Sequence, residues 1–244
     1  MGHLKTHPFA VEAYFTSSIV LTFALPKEEL SQLILPYLEL DTFQDKWAFI
    51  AIAMVQTKGL RPKGFPKILG NDFFLIGYRI FVCYITKAGK RLRGLYIIKS
   101  ETDKKRMEWL GNVFTHYNYS TTDIEMIVEN QSKTIRSNKS KFSVSINYYS
   151  ENINLPLSSP FSEWKEARRY AGPLPFTFTY LEEKKSVLII EGVRQNWKPK
   201  AIEVEDFNFD YLNDLGFKNI VLANAFEITN IPYHWKKGTI EKWK

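Results

Sequence analysis

The chain has 244 residues, of which 45% are hydrophobic and 15% aromatic. So much apolar surface can offset the entropy lost on folding, which excludes an intrinsically disordered chain. The formal net charge is +7, from 33 basic and 26 acidic residues. Because the two signs are interspersed, this charge favours a mild attraction to anions and is not by itself a nucleic-acid signature.

The first part of the chain alternates strands with one short helix. Its β-branched and aromatic residues predict a strand over 14–25, and Pro26 suits the first turn of a helix over 27–35. A nearly continuous apolar run over 47–55 is typical of a strand buried on both faces. The segment 58–72 is rich in glycine, proline and basic residues, which predicts a long loop.

The middle of the chain predicts a hairpin, a helix and two further strands. In chain order these are a hairpin of strands 73–85 and 92–99, a helix over 103–114, and strands over 117–128 and 141–149 joined by the polar stretch 130–140. The helix is indicated by Met107, Leu110 and Phe114, which share one helical face.

The last part contains further short elements separated by prolines and turn residues. We predict a helix over 162–170, strands over 176–181 and 187–192 joined by a turn at 182–185, a strand over 201–205, a helical turn over 210–215 and a final strand over 220–229. This gives about ten strands with three or four short helices.

This pattern predicts a mainly β fold with a few short helices. We expect a large antiparallel sheet, curled or closed into a barrel so that its edge strands are paired. No low-complexity linker or repeat divides the sequence, so we expect a single domain over 1–244. A barrel of this size can enclose a small ligand.

Several classes of site and location are not expected from the sequence. Cys83 is the single cysteine and cannot form an intrachain disulfide, and the four histidines show no metal-ligand spacing. Neither GxGxxG nor GxxxxGK[ST] occurs, so no cofactor and no metal are expected. No run approaches the roughly 20 apolar residues of a membrane span. With no signal segment either, we expect a cytoplasmic protein without a membrane partner.

Short segments spread over most of the chain carry a resemblance to a known family. They are LPKEEL at 25–30, LPYLELD at 35–41, the apolar run at 47–54, GLRP at 59–62, YRIFV at 78–82, GLY at 94–96 and PYHW at 232–235. Together they resemble the domain of unknown function 2071 family, whose members are similar in fold to acetoacetate decarboxylase. The resemblance implies a wide, cone-like antiparallel barrel with helices at its rim and a ligand cavity inside.

The resemblance also identifies a difference in chemistry. In acetoacetate decarboxylase a lysine after a short helix forms a Schiff base with the keto acid. The equivalent point falls at 113–117, where His116 and Tyr117 stand and no lysine occurs. The acidic residue of the enzyme on the strand at 47–54 is also missing here. Because a Schiff base needs a primary amine, decarboxylation by that route is not expected.

Four residues are candidates for a site on their own chemistry. Arg79 interrupts an apolar strand, and a buried guanidinium must be paired, either with an anionic group of a ligand or with a structural carboxylate. His116 and His234 can each act as an acid or base, or be hydrogen-bonded structural residues. Lys99 ends an apolar strand and is either an interior amine or a surface lysine.

Three functions follow from these candidates. The first is binding of a small, anionic organic ligand in a barrel cavity by Arg79, His116, Tyr117 and His234. The second is an enzyme that acts on a keto or enol substrate through His116, Tyr117 or Lys99. The third, less favoured, is nucleic-acid binding through basic loops. Those loops contain Arg61, Lys63, Lys67, Lys139 and Lys141.

Overall fold

The computed structural model describes residues 4–147, 153–171, 174–195 and 197–243. The strands in these ranges are β1 (Val11–Pro26), β2 (Glu39–Leu40), β3 (Trp47–Pro62), β4 (Asn71–Ile85), β5 (Arg91–Thr102), β6 (Tyr119–Thr121), β7 (Glu125–Glu129), β8 (Ser132–Ser137), β9 (Phe142–Asn147), β10 (Phe176–Leu181), β11 (Ser186–Arg194), β12 (Lys200–Ala201), β13 (Glu203–Phe209), β14 (Val221–Trp235) and β15 (Thr239–Lys242). The helices are α1 (Lys27–Ser31), α2 (Lys105–Phe114), α3 (Trp164–Ala171) and α4 (Asp210–Asp214).

Seven strands close into a ring in the order β14-β1-β3-β4-β5-β10-β11, and β11 pairs again with β14. Neighbouring strands of the ring are antiparallel except β5 and β10, which pair in parallel over two residues. The closure joins Gly192 to Trp235 and Arg194 to Tyr233. The prediction of a mainly β fold with few short helices and a large curled sheet is confirmed.

The central part of β3 is continuously apolar because both of its faces are buried. Along β3, Phe49, Ala51 and Val55 belong to the inner core, whereas Ile50 and Ile52 belong to the outer core. Successive side chains of a strand point to opposite faces, so the two cores share the same strands. The continuous apolar run that the sequence shows at 47–55 follows from this arrangement.

A second sheet of four strands, in the order β13-β9-β8-β7, packs on the outside of the ring. The sequence predicted a polar connection over 130–140, but β8 lies within it. Of the residues of β8 that point towards the core, only Ile135 is apolar, since Lys133 and Ser137 are the others. The hydrophobic alternation that announces a strand is therefore too weak to detect there.

The predicted strand 117–128 is also divided between the two sheets. β6 pairs with β5 in the ring sheet, and β7 pairs with β8 in the outer sheet. Between them, Asp123 accepts hydrogen bonds from the Ser137 hydroxyl at 2.6 Å and the Lys139 amide at 2.9 Å. These bonds fix the bend where the chain leaves one sheet for the other.

Other element ends differ from the prediction because pairing with β1 extends its neighbours. Val11 pairs with both Pro62 and Trp235, so β3 continues into the predicted loop 58–72 and β14 runs beyond 229. Helix α1 has five residues where 27–35 was predicted. β15 was not predicted, and positions 148–149 of the predicted strand 141–149 lie outside the described residues.

The two ends of the ring are different. At one end, aromatic residues next to α3 fill the interior, since Phe49 lies 4.5 Å from Tyr170 and 5.5 Å from Phe161 between ring centroids. At the other end, α2 and the segment before β1 pack together, with Phe9 5.3 Å from Phe114. The exposed side chains of Leu69 and Phe9 lie at this second end.

Candidate functional site

A cavity of about 370 Å³ lies inside the ring, and we call it the ring cavity. Each of the seven ring strands contributes side chains to its wall. Its mouth is at the end formed by α2 and the residues before β1, where exposed Leu69 and Arg106 belong to the lining. The wall is mostly apolar, with polar groups at a few places, which is the composition typical of ligand sites.

The charged residues of the wall all carry the same sign. Within the part of the chain that the structure describes, no lysine, aspartate, glutamate or cysteine lines the ring cavity. Arg61 is neutralised by Glu12, whose carboxylate lies 2.6 Å from its guanidinium. Arg106 is exposed at the mouth. Arg79 is therefore the group whose charge acts deep in the cavity.

Arg79 lies on β4 and points into the ring cavity, while Tyr78 points into the outer core. Among the described residues, no carboxylate lies within ion-pair distance of its guanidinium, and its Nε has no hydrogen-bond partner. The part of the side chain that remains accessible faces the cavity. Burial lowers the pKa of the guanidinium, and the hydroxyls of Tyr233, Tyr119 and Tyr117 oppose that shift.

Two glycines make room for this arrangement. A Cβ on Gly77 would lie 2.8 Å from Nε of Arg79, so the arginine side chain folds back over this residue. A Cβ on Gly111 in α2 would overlap the ring of Tyr119. The backbone of Tyr119 is in turn held by both amide atoms of Asn112, at 2.9 Å each. Because Gly77 and Gly111 have no side chains, the guanidinium of Arg79 and the ring of Tyr119 can occupy these positions.

Three tyrosines surround the guanidinium and remain protonated at neutral pH. Burial raises the pKa of Tyr117 to about 12, although its hydrogen bond with Thr177 at 2.8 Å acts in the opposite direction. Burial also raises the pKa of Tyr119 and of Tyr233. Tyr233 stacks on Phe15 at 4.9 Å and is hydrogen-bonded to Arg194. Neutral phenols at this place can donate hydrogen bonds to an anion.

Further polar atoms of the wall have no partner within the described chain. They are Oγ1 of Thr57, Nδ1 of His7 and Nε1 of Trp197. Buried polar atoms are normally hydrogen-bonded. Together with Nε of Arg79, these atoms are polar groups of the wall that the described chain leaves without a hydrogen bond.

The structure brings Arg79 and Tyr117 together in the ring cavity but places the other predicted site residues elsewhere. His116 lines a separate surface pocket with Tyr96 and Tyr180. Its pKa is lowered by burial and by the charge of Lys5.

His234 lines a pocket on the outside of the ring with Glu12 and Lys58. Its neighbours Tyr233 and Trp235 both line the ring cavity. Since side chains alternate along a strand, His234 must point outwards. Alternation along PYHW could therefore have identified Tyr233 from the sequence, because it points to the face opposite His234. Tyr119 could have been identified in the same way, because it is two residues from Tyr117.

Lys99 lies on the outer face of the ring. Its Nζ is 3.0 Å from a carboxylate oxygen of Glu101 and 4.5 Å from the ring centroid of Tyr211. Strict alternation from Ile97, which lines the cavity, would turn Lys99 inwards. A bulge prevents this. Arg79 pairs with Ile97 and the preceding residue, Tyr78, pairs with Lys99, so Ile98 is left without a partner on β4. Ser100 takes the inward place instead.

The described residues lack two further features, a metal-binding cluster and a helix that could span a bilayer. No group of three or more histidine, cysteine, aspartate or glutamate side chains is arranged to hold a metal ion in residues 4–147, 153–171, 174–195 and 197–243. Over the same residues, every helix is too short or too polar to cross a bilayer.

Solved structures define the class of fold. Acetoacetate decarboxylase from Legionella pneumophila is similar with a TM-score of 0.60 at 12% identity, covering 94% of this chain and 86% of that chain. The enduracididine biosynthesis enzyme MppR, complexed with the condensation product of pyruvate and imidazole 4-carboxaldehyde, has a TM-score of 0.58 at 7% identity, covering 97% and 91%. An acetoacetate decarboxylase-like enzyme from Sphingomonas wittichii has a TM-score of 0.54 at 9% identity, covering 96% and 92%. The chain therefore has an acetoacetate decarboxylase-like fold.

The family is more specific than the fold. The model of the domain of unknown function 2071 family, described as an uncharacterized conserved protein, matches residues 13–241. The chain belongs to this family, as the sequence segments predicted. None of the curated proteins compared with the chain matches it significantly.

Proposed function

We propose that this chain binds a small organic anion in the ring cavity, with Arg79 as the ion-pairing group. The observation that carries the proposal is the Arg79 guanidinium, which is buried in an apolar wall without a carboxylate partner among the described residues. A buried charge is costly unless it is paired. An anionic guest would supply the missing partner.

The surroundings of Arg79 fit a carboxylate better than a simple ion. The planar guanidinium can donate two parallel hydrogen bonds to a carboxylate. The hydroxyls of Tyr117, Tyr119 and Tyr233 stand near the same charge and stay protonated. The cavity wall adds apolar contacts for the remainder of the molecule.

The proposal does not include Schiff-base chemistry. No lysine lines the described wall, and from the segment 113–117 the wall receives Phe114, Thr115 and Tyr117. A hydroxyl or a phenol cannot form an imine with a keto acid.

A second candidate, an enzyme acting on a keto or enol substrate, is favoured by one observation. Tyr117 combines a phenol of raised pKa with the nearby charge of Arg79, so it could donate a hydrogen bond to a carbonyl oxygen. His116 and Lys99, the other groups considered for this role, do not line the ring cavity. The binding proposal needs fewer groups and is the one we favour.

The test measures binding of acetate, acetoacetate, benzoate and octanoate by isothermal titration calorimetry to the wild type and to Arg79→Met. A hydrogen bond to a charged group is worth about 1.5–3 kcal/mol. With tenfold in Kd per 1.4 kcal/mol, Arg79→Met should weaken the best ligand about 10- to 150-fold. Arg136→Met is the matched control, because Arg136 lies in the outer sheet and pairs with Glu125. Equal affinities for wild type and Arg79→Met would refute the proposal.

A further inference from the structure

We infer that the ligand is an amphiphile with one carboxylate, which binds head first, with the carboxylate at Arg79 and an unbranched apolar body running to the mouth. This inference rests on the proposed function and adds the chemical class and orientation of the guest. It follows from how charge, apolar wall and opening are ordered along the ring.

The filled end of the ring sets the direction. Phe81 is two residues from Arg79 on the same face of β4, and its ring lies 6.1 Å from that of Phe49. Phe49 in turn stacks on Phe161 and packs at a tilt against Tyr170. The charge therefore lies next to the aromatic end, and the exposed mouth lies at the other end.

The wall between Arg79 and the mouth is apolar along two paired strands as far as Thr57. On β4 the guanidinium lies over Gly77, and Leu75 and Phe73 follow towards the mouth. On β3 the partners of these residues are Ala53, Val55 and Thr57. Val20 of β1 pairs with Ala53 and completes this wall.

The length of this wall suggests the length of the guest. Four residues separate Gly77 from Phe73, which is about 13 Å at about 3.3 Å per residue. An extended alkyl chain with C–C bonds of about 1.52 Å advances roughly 1.25 Å per carbon, so about ten carbons span this distance. Beyond Phe73, the apolar side chains of Leu110, Phe114 and Leu69 would receive the end of the chain.

The charge balance limits the guest to one negative charge. Arg61 already has Glu12 as its partner, and Arg106 is exposed at the rim. A dianion shorter than the apolar wall would keep its second negative charge unpaired against that wall, which is strongly unfavourable. A neutral alcohol of the same length would leave Arg79 unpaired.

The experiment titrates straight-chain monocarboxylates from acetate to decanoate, with decanol and the shorter diacid hexanedioate as comparisons, each below its micelle concentration. We expect the affinity of the wild type to rise about fourfold for each added CH₂ group up to about ten carbons. Decanol should bind at least tenfold more weakly than decanoate, and hexanedioate should bind at least tenfold more weakly than hexanoate.

Two variants separate the head of the guest from its tail. Leu75→Phe adds bulk to the apolar path, so it should weaken decanoate at least tenfold more than it weakens butyrate. Leu157→Phe makes the same exchange at a fully exposed position and should change neither. Arg79→Met should weaken every acid in the series. Urea unfolding of each variant shows that it is folded.

The outcomes distinguish this inference from the proposed function. Arg79-dependent binding that does not increase with chain length, or tighter binding of acetoacetate than of decanoate, would overturn the amphiphile and leave the proposed function intact. Length-dependent binding that Arg79→Met does not weaken would refute the proposed function and, with it, the head-first orientation. Failure of the folded wild type to bind any acid of the series would also overturn the inference.

Discussion

Replacing Arg79 by methionine should make the ligand-free protein more stable. In the folded state the guanidinium has lost water and has no carboxylate partner among the described residues. Methionine keeps an apolar stem of similar length and removes the charge. Arginines that serve the fold behave in the opposite way, so the sign of the change separates a binding role from a structural one.

The magnitude follows from the groups around the side chain. An unsatisfied buried polar group costs about 1–3 kcal/mol. The three tyrosine hydroxyls and the accessible surface towards the cavity recover part of this cost. We therefore expect the free energy of unfolding to increase by about 1 kcal/mol, which corresponds to roughly 2–4 °C in Tm for a chain of this size.

Urea unfolding followed by tryptophan fluorescence measures this change. The midpoint should move to higher urea while the slope m stays constant, because the surface exposed on unfolding is nearly the same. Arg61→Met is the contrasting variant: Arg61 pairs with Glu12 and donates to the carbonyls of Gly59 and Phe65 at 2.8 and 2.9 Å. It should lose stability.

A bound acid should reverse the order of the two proteins. A ligand at 100 times its Kd stabilises the folded state by about 2.7 kcal/mol, and only the wild type should gain this from decanoate. The reasoning is refuted if ligand-free Arg79→Met is less stable than the wild type by more than about 1 kcal/mol at constant m, because Arg79 would then hold the fold together.

Three further predictions concern single groups of the site. Gly77→Ala should weaken ligand binding about tenfold, because the added Cβ displaces Nε of Arg79. The circular dichroism spectrum should be unchanged, and full affinity in calorimetry would contradict the prediction. Burial lowers the pKa of His7 below the ordinary 6.5, so the unfolded chain binds the proton more readily and the free energy of unfolding should fall as the pH drops through 6.5. In urea titrations, His7→Gln should reduce the dependence of this free energy on pH, and an unchanged dependence would count against the prediction. Treatment with acetoacetate and borohydride should leave the mass of the wild type unchanged, whereas Tyr117→Lys, with an amine activated by the charge of Arg79, should gain a reduced adduct. Adduct formation by the wild type would show that acetoacetate reaches an amine of the native chain.

Much of the ring could be predicted from the sequence because its strands carry a strong local signal. The runs at 47–55 and 73–85 are long, apolar and rich in β-branched residues, and the break in the second run identified Arg79. The outer sheet was harder to predict because β8 buries one apolar residue, Ile135, although it pairs with its neighbours in sequence, β7 and β9.

The site could be predicted only where local spacing fixes the direction of a side chain. Tyr117 was identified through the family resemblance, and its direction was not known. His234 was preferred over Tyr233 on chemistry alone, although the two must point to opposite faces. The outward direction of Lys99 depends on the bulge that shifts the register between β4 and β5, and no glycine or proline stands next to Lys99 to indicate it.

The bulge in β5 decides which side chains the ring cavity receives from this strand. Ile98 is the extra residue, and it places Lys99 outside and Ser100 inside. If the irregularity lay two residues further along the strand, the same sequence would present a primary amine to the interior, opposite the existing positive charge. The position of one bulge thus decides whether the ring cavity contains an amine that could form an imine, and no new side chain would be required.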